Sequence, residues 1–538
     1  MKRAQGPAPD DGTLDLFAGG DGAAGGAPGA GQQPAAVRTG AAKRDRASTL
    51  SKSRFVAGAQ CHKLLWLKTH EPEAEELKIS PAIQDIIDQG NQVGRLARAR
   101  FPGGKLIELA HDDPERLPLT RRYIAEGAPA IFEATFVADR VYAAIDVLLR
   151  ENGAWTLIEV KSGTDAKEKY ILDAAIQTWV AKRAGVDVQR TEIMHINGDY
   201  LAPEPGATAE ADLFVRDDVT FVVSGLLPLM PQQVAAQLET LAGPLPEVAI
   251  GKQCREPDDC AFQGRCWPPE PDSVLRIQGL LYEKRFALFH GGTRTIAELP
   301  KSYKLSEVQT RQRRACETGK LVVEPKLAEE LEPYTGRLGF LDFESVGRAV
   351  PVWSGTKPWE QIGVQFSYHE GDLGGPYTHD EFLAEPDTDP REAIARRLIE
   401  VTQGADRVLM YTPFERTQIR SMQRFNPHLA DGLAALEAKL LDLAQVVRHT
   451  VYHRDFGGSL SIKEVLPVLV PGMSYKDTVK IHDGSEASAK LARLLFYVGE
   501  LTAEERAQLK AELLEYCKQD TFAMVKLLER LVAIARRA

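Results

Sequence analysis

Long apolar runs, a surplus of positive charge and a dense cysteine framework are all missing from this 538-residue chain. No stretch approaches the roughly 18 uninterrupted apolar residues that mark a bilayer-spanning helix, so a helical membrane protein is not expected. Met1-Lys2-Arg3 leads into Gly, Ala and Pro where a secretory signal would place its apolar segment, which points to a cytoplasmic location. Lys and Arg number 66 against 76 Asp and Glu, a formal charge of -10. That balance excludes a generally cationic nucleic-acid binder and leaves only local patches, with clustered carboxylates masked by metal. Six cysteines in a chain read as cytoplasmic argue against disulfides. No internal repeat is evident. What is present is 43% apolar content over 538 residues, enough for two or three packed domains.

Residues 1–47 are dominated by Ala, Gly, Pro and Gln and cannot bury enough apolar surface to offset ordering entropy, so a disordered tail is expected. Its apolar island, Thr13-Leu14-Asp15-Leu16-Phe17, is similar to the short peptide that docks on bacterial sliding clamps, with Thr13 where that motif prefers Gln. A bland disordered segment is the competing reading. From residue 48 the pattern becomes periodic. Ile83, Ile86, Ile87, Val93 and Leu96 give helical spacing over 79–100, and Ile131–Val137, Val141–Leu149 and Trp155–Val160 read as strands, with Asn152-Gly153 as a hairpin turn. A helix over Tyr170–Arg183 and a strand over Arg190–Ile196 follow, and a Pro-rich, Cys-bearing stretch over Pro244–Pro271 closes a first domain, 48–271.

Residues 272–335 read as a helical bridging segment. Its basic positions Arg311, Arg313 and Arg314 form either a solvated helix face or a phosphate-contacting patch. In 336–538, Leu338–Glu344, Gln361–Tyr368 and Arg407–Tyr411 are strand-like, while Pro390–Thr402, Glu415–Arg424 and Glu504–Arg536 are helical. Strands alternating with helices imply an α/β fold.

Two acidic constellations carry the chemistry. In the first, Asp146 lies on one strand and Glu159-Val160-Lys161 on the next, across the Asn152-Gly153 turn. Strand side chains alternate faces, so Glu159 and Lys161 project together and Asp146 can lie opposite. Two carboxylates suit Mg²⁺ or Mn²⁺, and a lysine beside them can orient water or offset phosphoryl charge. The competing reading is a surface ion pair on an edge strand. With Gln177 following on the next helix, the set resembles the PD-(D/E)XK nucleases of the RecB-like branch, which implies a restriction-endonuclease-like domain over 48–271 with Asp146, Glu159, Lys161 and Gln177 as site residues. The chain departs from the CRISPR-adaptation relatives at an early helix: around Gly90–Arg98 it has Gly94 where they have a metal-binding His, and Glu133 is the candidate substitute.

Cys61 stands upstream of this core and Cys254-x₅-Cys260-x₅-Cys266 downstream; Cys316 and Cys517 are isolated. Four thiolates can hold a [4Fe-4S] cluster or Zn²⁺ and tie the ends of a domain together. The same one-plus-three layout occurs in the iron-sulphur RecB-like nucleases, a resemblance that implies a structural [4Fe-4S] cluster, with Zn²⁺ as the alternative.

In the second constellation, Asp342 and Glu344 share one face of an apolar strand, and Tyr516 and Asp520 lie four apart on a helix. Burying paired carboxylates is costly unless they hold metal. Glu415, after the strand Val408–Tyr411, could complete a cage, and Asp442 is a reserve. Asp-x-Glu, a middle acid and a final Tyr-x₃-Asp resemble the DEDDy 3′-5′ exonucleases of the RNase H-like superfamily. The resemblance implies that Asp342, Glu344 and Asp520 ligate Mg²⁺ or Mn²⁺, that Glu415 supports one ion, and that Tyr516 positions the attacking water. The family usually places Asp where Glu415 stands. Cys517 and Lys518 read as packing and solvent residues, and His449, His453 and His482 as loop or partner-satisfied histidines.

Leu50-Ser51-Lys52-Ser53-Arg54-Phe55 and Phe340–Ser345 extend the likeness to a bacterial family joining an iron-sulphur RecB-like nuclease to an RNase H-like exonuclease module. The function implied is metal-dependent hydrolysis of nucleic-acid ends or single strands, DNA in preference to RNA, in repair or defence. Trp179, Trp353 and Trp359 would be either base-stacking platforms or core residues. Two other readings stand beside it: an RNA-processing exonuclease with only the second site active, and a non-catalytic scaffold that docks a sliding clamp through Leu14–Phe17.

Overall fold

The computed structural model describes residues 48–473, 481 and 483–537, so the Leu14–Phe17 segment and His482 lie outside the described residues. Among those residues, 48–79, Ile86–Gln263 and Ala349–Trp359 form one compact unit, and Ser80–Asp85, Gly264–Arg348 and 360–537 a second. The fold is mixed α/β in both. This division differs from the linear reading: 272–335 belongs to the second unit instead of bridging, and Ala349–Trp359 joins the first. No described helix is long and apolar enough to cross a membrane.

The first unit is built on one sheet containing β1 (Leu50–Ser51), β2 (Lys105–Leu106), β3 (Ala130–Ala138), β4 (Val141–Glu151), β5 (Ala154–Lys161), β6 (Val188–Ile196) and β7 (Phe214–Asp218), ordered β2-β3-β4-β5-β6-β7 with β1 paired to β4. Asn152 and Gly153 turn β4 into β5 with φ of 52° and 84°, the left-handed pair that matches the natural twist of a two-residue hairpin. After β5 the chain crosses over through a helix, Glu168–Arg183, to reach β6 in parallel. That helix is buried from Ala174 to Ala181, and its alanines permit close approach to the sheet. Two short helices, α1 (Lys52–Gln60) and α2 (His62–His70), pack on the same core through Phe55 and Leu65.

The β3-β4 ladder is interrupted at one place. Phe132 pairs with Val147 and Ala134 with Ile145, and between them Glu133 has φ 59°. The apolar faces of both strands exchange there: Ala134 and Ile145 enter one core cluster, Phe132 and Val147 another. An irregularity of this kind re-aims side chains, and the two re-aimed here are Glu133 and Asp146.

The second unit contains a five-stranded sheet ordered β11-β10-β9-β12-β13, with β9 (Arg337–Val346), β10 (Ile362–Asp372), β11 (Tyr377–Leu383), β12 (Arg407–Met410) and β13 (Leu440–Asp442), and a separate pair, β8 (Val322–Val323) with β14 (Val451–Tyr452). β9 to β11 are antiparallel and β12 and β13 run parallel to β9. One face carries Leu341, Phe343, Phe366 and Tyr368 against helices Arg391–Val401 and Phe414–Phe425. The other carries Leu338 and Phe340 against the C-terminal helix, Ala503–Ala535. Along that second face β9 changes character, from Leu338 and Phe340 to Asp342 and Glu344. The helix changes with it, from the apolar face of Ala523–Leu531 to Tyr516, Cys517 and Asp520.

Neutral polar contacts hold this half of the helix to the sheet. Gln365 Nε2 donates to Leu513 O at 2.7 Å, and Thr521 Oγ1 lies 2.8 Å from both Ser367 Oγ and His369 Nδ1. Burial, helped by neighbouring His379, pushes the His369 imidazole down to about 4.

Two outcomes are expected. Gly153→Ala should destabilise the protein by about 1 kcal/mol in denaturant titration, because alanine resists the left-handed conformation, and an unchanged midpoint would contradict the turn. His369 has a folded-state value below its ordinary 6.5, so its stabilising contribution is full above that pH and is lost as pH falls towards 4. Melting temperature should drop across that window, and His369→Gln should flatten the drop.

Candidate active sites

β9 and the C-terminal helix bring Asp342, Glu344 and Asp520 together, with one carboxylate oxygen of each within 4.8 Å of the others. The strand's period of two aims Asp342 and Glu344 the same way, and the helical period puts Asp520 one turn beyond Tyr516 on the inner face. Glu344 and Asp520 are buried and Asp342 is half-buried. Burial, and after it the charge of Asp520, pushes the carboxyls of Asp342 and Glu344 well above the usual carboxylate range. Three acidic groups this close are stable with bound protons or a bound cation. The donor set is all oxygen and fits Mg²⁺ or Mn²⁺.

Glu415 sits in the first turn of helix Phe414–Phe425, buried, and burial pushes its carboxyl up to about 8. Its charge acts on Asp342 and Glu344, but it is not one of the three converging groups. Asp442 is committed elsewhere: its Oδ1 accepts from Ala444 N at 2.9 Å and caps helix Leu443–Thr450. Tyr516 is buried, and its hydroxyl is raised by burial and by the charges of Asp520, Glu344 and Asp342.

Two neighbours were not evident as site residues from the sequence. Cys517, read as packing, places Sγ 3.5 Å from Asp342 Oδ2, and burial with the nearby carboxylates drives its thiol upward. Lys463, 53 residues before Tyr516 in the chain, donates from Nζ to the Tyr516 hydroxyl at 2.8 Å. Lys518 is exposed, as read. His453 Nδ1 accepts from Asp455 N at 3.2 Å and His449 lies 3.5 Å from Glu330, so both are partner-satisfied.

In the first unit Asp146, Glu159, Lys161 and Gln177 also meet. Glu159 and Lys161 are buried on β5, between β4 and β6, which rules out an edge-strand surface pair. Asp146 Oδ2 accepts from Val160 N at 2.7 Å. Glu159 Oε1 takes Lys52 Nζ at 2.8 Å and Lys161 Nζ at 2.9 Å, while Oε2 accepts from Gln177 Nε2 at 2.6 Å. Lys161 also binds Asp173 at 2.7 Å and lies 4.9 Å from the Tyr170 ring centre. Lys52, from the Leu50–Phe55 stretch, and Asp173 complete the network, and neither was marked as a site residue by the sequence.

Electrostatics separate the two acids. Burial and then Glu159's charge push Asp146 up to about 8. Burial would raise Glu159 too, but Lys161 and Lys52 outweigh it and hold the carboxyl at about 2. Lys52, Asp146, Glu159, Lys161 and Asp173 line a cavity of about 410 Å³ together with Gly94 and Glu133. Buried Arg116 donates to Glu133 O at 3.2 Å and approaches its carboxylate at 3.5 Å. Both Glu159 oxygens are therefore engaged, and no three carboxylates converge here as they do in the second unit. The residues do not form a ready cation cage, because Lys52 stands against Glu159.

Cys61 and Cys260 contribute to one small apolar cluster with Leu64, Leu67 and Phe262. Cys260 N donates to Cys254 O at 3.0 Å, and Gln60 Nε2 donates to Gln253 O and Asp258 O at 2.9 and 2.7 Å, so the early helix is tied to the cysteine-bearing loop. Three of the four expected ligands thus share a neighbourhood in the first unit. Cys266 falls in the second. No disulfide links the six cysteines, all of them described. Trp179 is in the core, and Trp359 packs against a small apolar cluster while its Nε1 donates to Ser162 O at 2.8 Å.

Residues 339–461 match a family described as a domain of unknown function, DUF2779. The match includes Asp342, Glu344 and Glu415 and ends before Lys463, Tyr516 and Asp520. No curated protein matches the chain. A solved structure described as the crystal structure of SSO0001 aligns at 12% identity over 41% of this chain and 86% of its own, with a TM-score of 0.21.

Mn²⁺ titrated calorimetrically into chelator-treated protein should bind to the wild type, and Asp342→Asn with Glu344→Gln should abolish one class of sites. Undiminished binding in the double variant would remove the metal reading of this centre.

Proposed function

We propose that the chain is a metal-dependent nuclease that hydrolyses phosphodiester bonds at nucleic-acid ends or in single strands, with DNA preferred to RNA. The observation that carries this reading is the convergence of Asp342, Glu344 and Asp520 from two distant segments at a buried point of the second unit. Structural carboxylates are ordinarily dispersed or paired with cations, and three held together argue for a bound divalent ion.

In this reading the second unit is an RNase H-like exonuclease module and the first a restriction-endonuclease-like module. Asp342, Glu344 and Asp520 would hold Mg²⁺ or Mn²⁺, which supplies positive charge against the phosphoryl oxygens when bound. Glu415 adds negative charge behind them, Cys517 buttresses Asp342, and Tyr516 orients the reacting groups. In the first unit Lys161, held by Glu159 and Asp173, presents charge to a phosphate. The cysteines Cys61, Cys254, Cys260 and Cys266 would hold a structural [4Fe-4S] cluster or Zn²⁺, which iron and zinc analysis of anaerobically purified protein distinguishes.

A second reading, in which only the second centre is active, draws support from the engagement of both Glu159 oxygens by Lys52, Lys161 and Gln177. Release of mononucleotides from end-labelled DNA and RNA separates the two. Asp342→Ala should reduce the rate by more than the roughly 10–100-fold typical of losing an outer partner of a metal site. If Lys161→Ala leaves that rate unchanged, the second centre acts alone. Absence of hydrolysis by the wild type with either substrate and either metal would sink the nuclease assignment.

A further inference from the structure

We propose that Lys463 is a positioning residue of the Asp342–Glu344–Asp520 centre, fixing Tyr516 as a hydrogen-bond donor towards a phosphate oxygen of the substrate. The inference rests on the nuclease reading above and adds to it a residue and a direction of hydrogen bonding.

The geometry is specific. Lys463 lies in the first turn of helix Ile462–Leu469, whose start is capped by Ser461 and whose Val465, Leu466 and Leu469 are buried in the core. Arg530 Nε, from the C-terminal helix, donates to Leu469 O at 2.8 Å and fixes the other end. From this anchored position Nζ reaches the Tyr516 hydroxyl at 2.8 Å and lies 4.9 Å from the centre of its ring. Its charge also acts on Glu344 and on Asp483, the residue that caps helix Gly484–Phe496. Gly484 stands beside Glu344: a Cβ there would lie 3.9 Å from Oε2. Lys463 therefore belongs to the wall of the acidic centre.

An ammonium group can only donate hydrogen bonds. In the Lys463–Tyr516 contact the phenol oxygen must accept, and its own hydrogen must be used elsewhere. Without the lysine, Tyr516 could serve as donor or acceptor; with it, the hydroxyl presents a proton. A phosphodiester oxygen carries negative charge and accepts hydrogen bonds, so a donor beside the carboxylate site, backed by a cation, matches a phosphate group. A phenol held in this way is unsuited to acting as a proton acceptor from water. Lys463 touches Tyr516 and acts through it.

The test uses the full chain loaded with Mn²⁺ and the probe 2′-deoxyadenosine 5′-monophosphate, in wild type, Lys463→Met, Lys463→Arg, Tyr516→Phe and the Lys463→Met/Tyr516→Phe double variant. Calorimetry of Mn²⁺ alone should show binding retained in every variant, which also confirms folding. Lys463→Met and Tyr516→Phe should each weaken the nucleotide by about tenfold or more, the scale of losing one hydrogen bond to a charged group. The double variant should be no weaker than the worse single one, because the two side chains act as a unit, and Lys463→Arg should recover part of the loss. Wild-type affinity in Lys463→Met, or strictly additive losses, overturns the role of Lys463 while leaving the nuclease reading intact. Failure of the wild type to bind the nucleotide with Mn²⁺ present overturns both.

Discussion

Mutual repulsion of carboxylates is the constraint around which the second unit is arranged. Asp342, Glu344 and Asp520 come within 4.8 Å of one another, and something must resist their separation. The resistance is neutral and mechanical. The apolar half of the C-terminal helix is packed into the core through Ala523–Leu531, and the polar half is pinned by Gln365, Ser367, His369 and Thr521. None of these contacts neutralises the acids. A salt bridge in the same place would have held the helix as well and spent the charge.

The first unit meets a similar difficulty in the opposite way. Glu159 is surrounded by Lys52, Lys161 and Gln177, and its charge is balanced from within the protein. Asp146, nearby, accepts from the Val160 amide at 2.7 Å, and burial with the charge of Glu159 pushes its carboxyl up to about 8. The result is one centre whose carboxylate is paired with two lysines and another whose three carboxyls face one another. Two acid clusters that look alike as strings of letters therefore differ in electrostatic state.

Local patterns were the legible part of the sequence. Alternation along β3, β4, β5 and β9, the Asn152-Gly153 turn, and the four-residue spacing of Tyr516 and Asp520 each follow from backbone geometry that a short window contains. Residues whose role depends on distant contacts left no such trace. Lys52 meets Glu159 across 107 positions and Lys463 meets Tyr516 across 53, and in each case the lysine looks like any solvated one. Ala349–Trp359 leaves its neighbours in sequence to join the other unit, a choice made by packing. Asp442 shows the converse error: it was legible as an acid near a strand, but Asp-Leu-Ala before a helix is also a capping pattern, and the cap prevails.

The C-terminal helix runs unbroken for 33 residues, about 50 Å, and carries both the core anchor and the last carboxylate of the centre. Each residue turns a helix by about 100°, so inserting or deleting a single position between Asp520 and the anchored half would swing that carboxylate out of reach of β9. Drift in chain length across relatives must therefore be absorbed in the loops, and the interval from Tyr516 to Ile534 should keep a constant count wherever the centre is preserved.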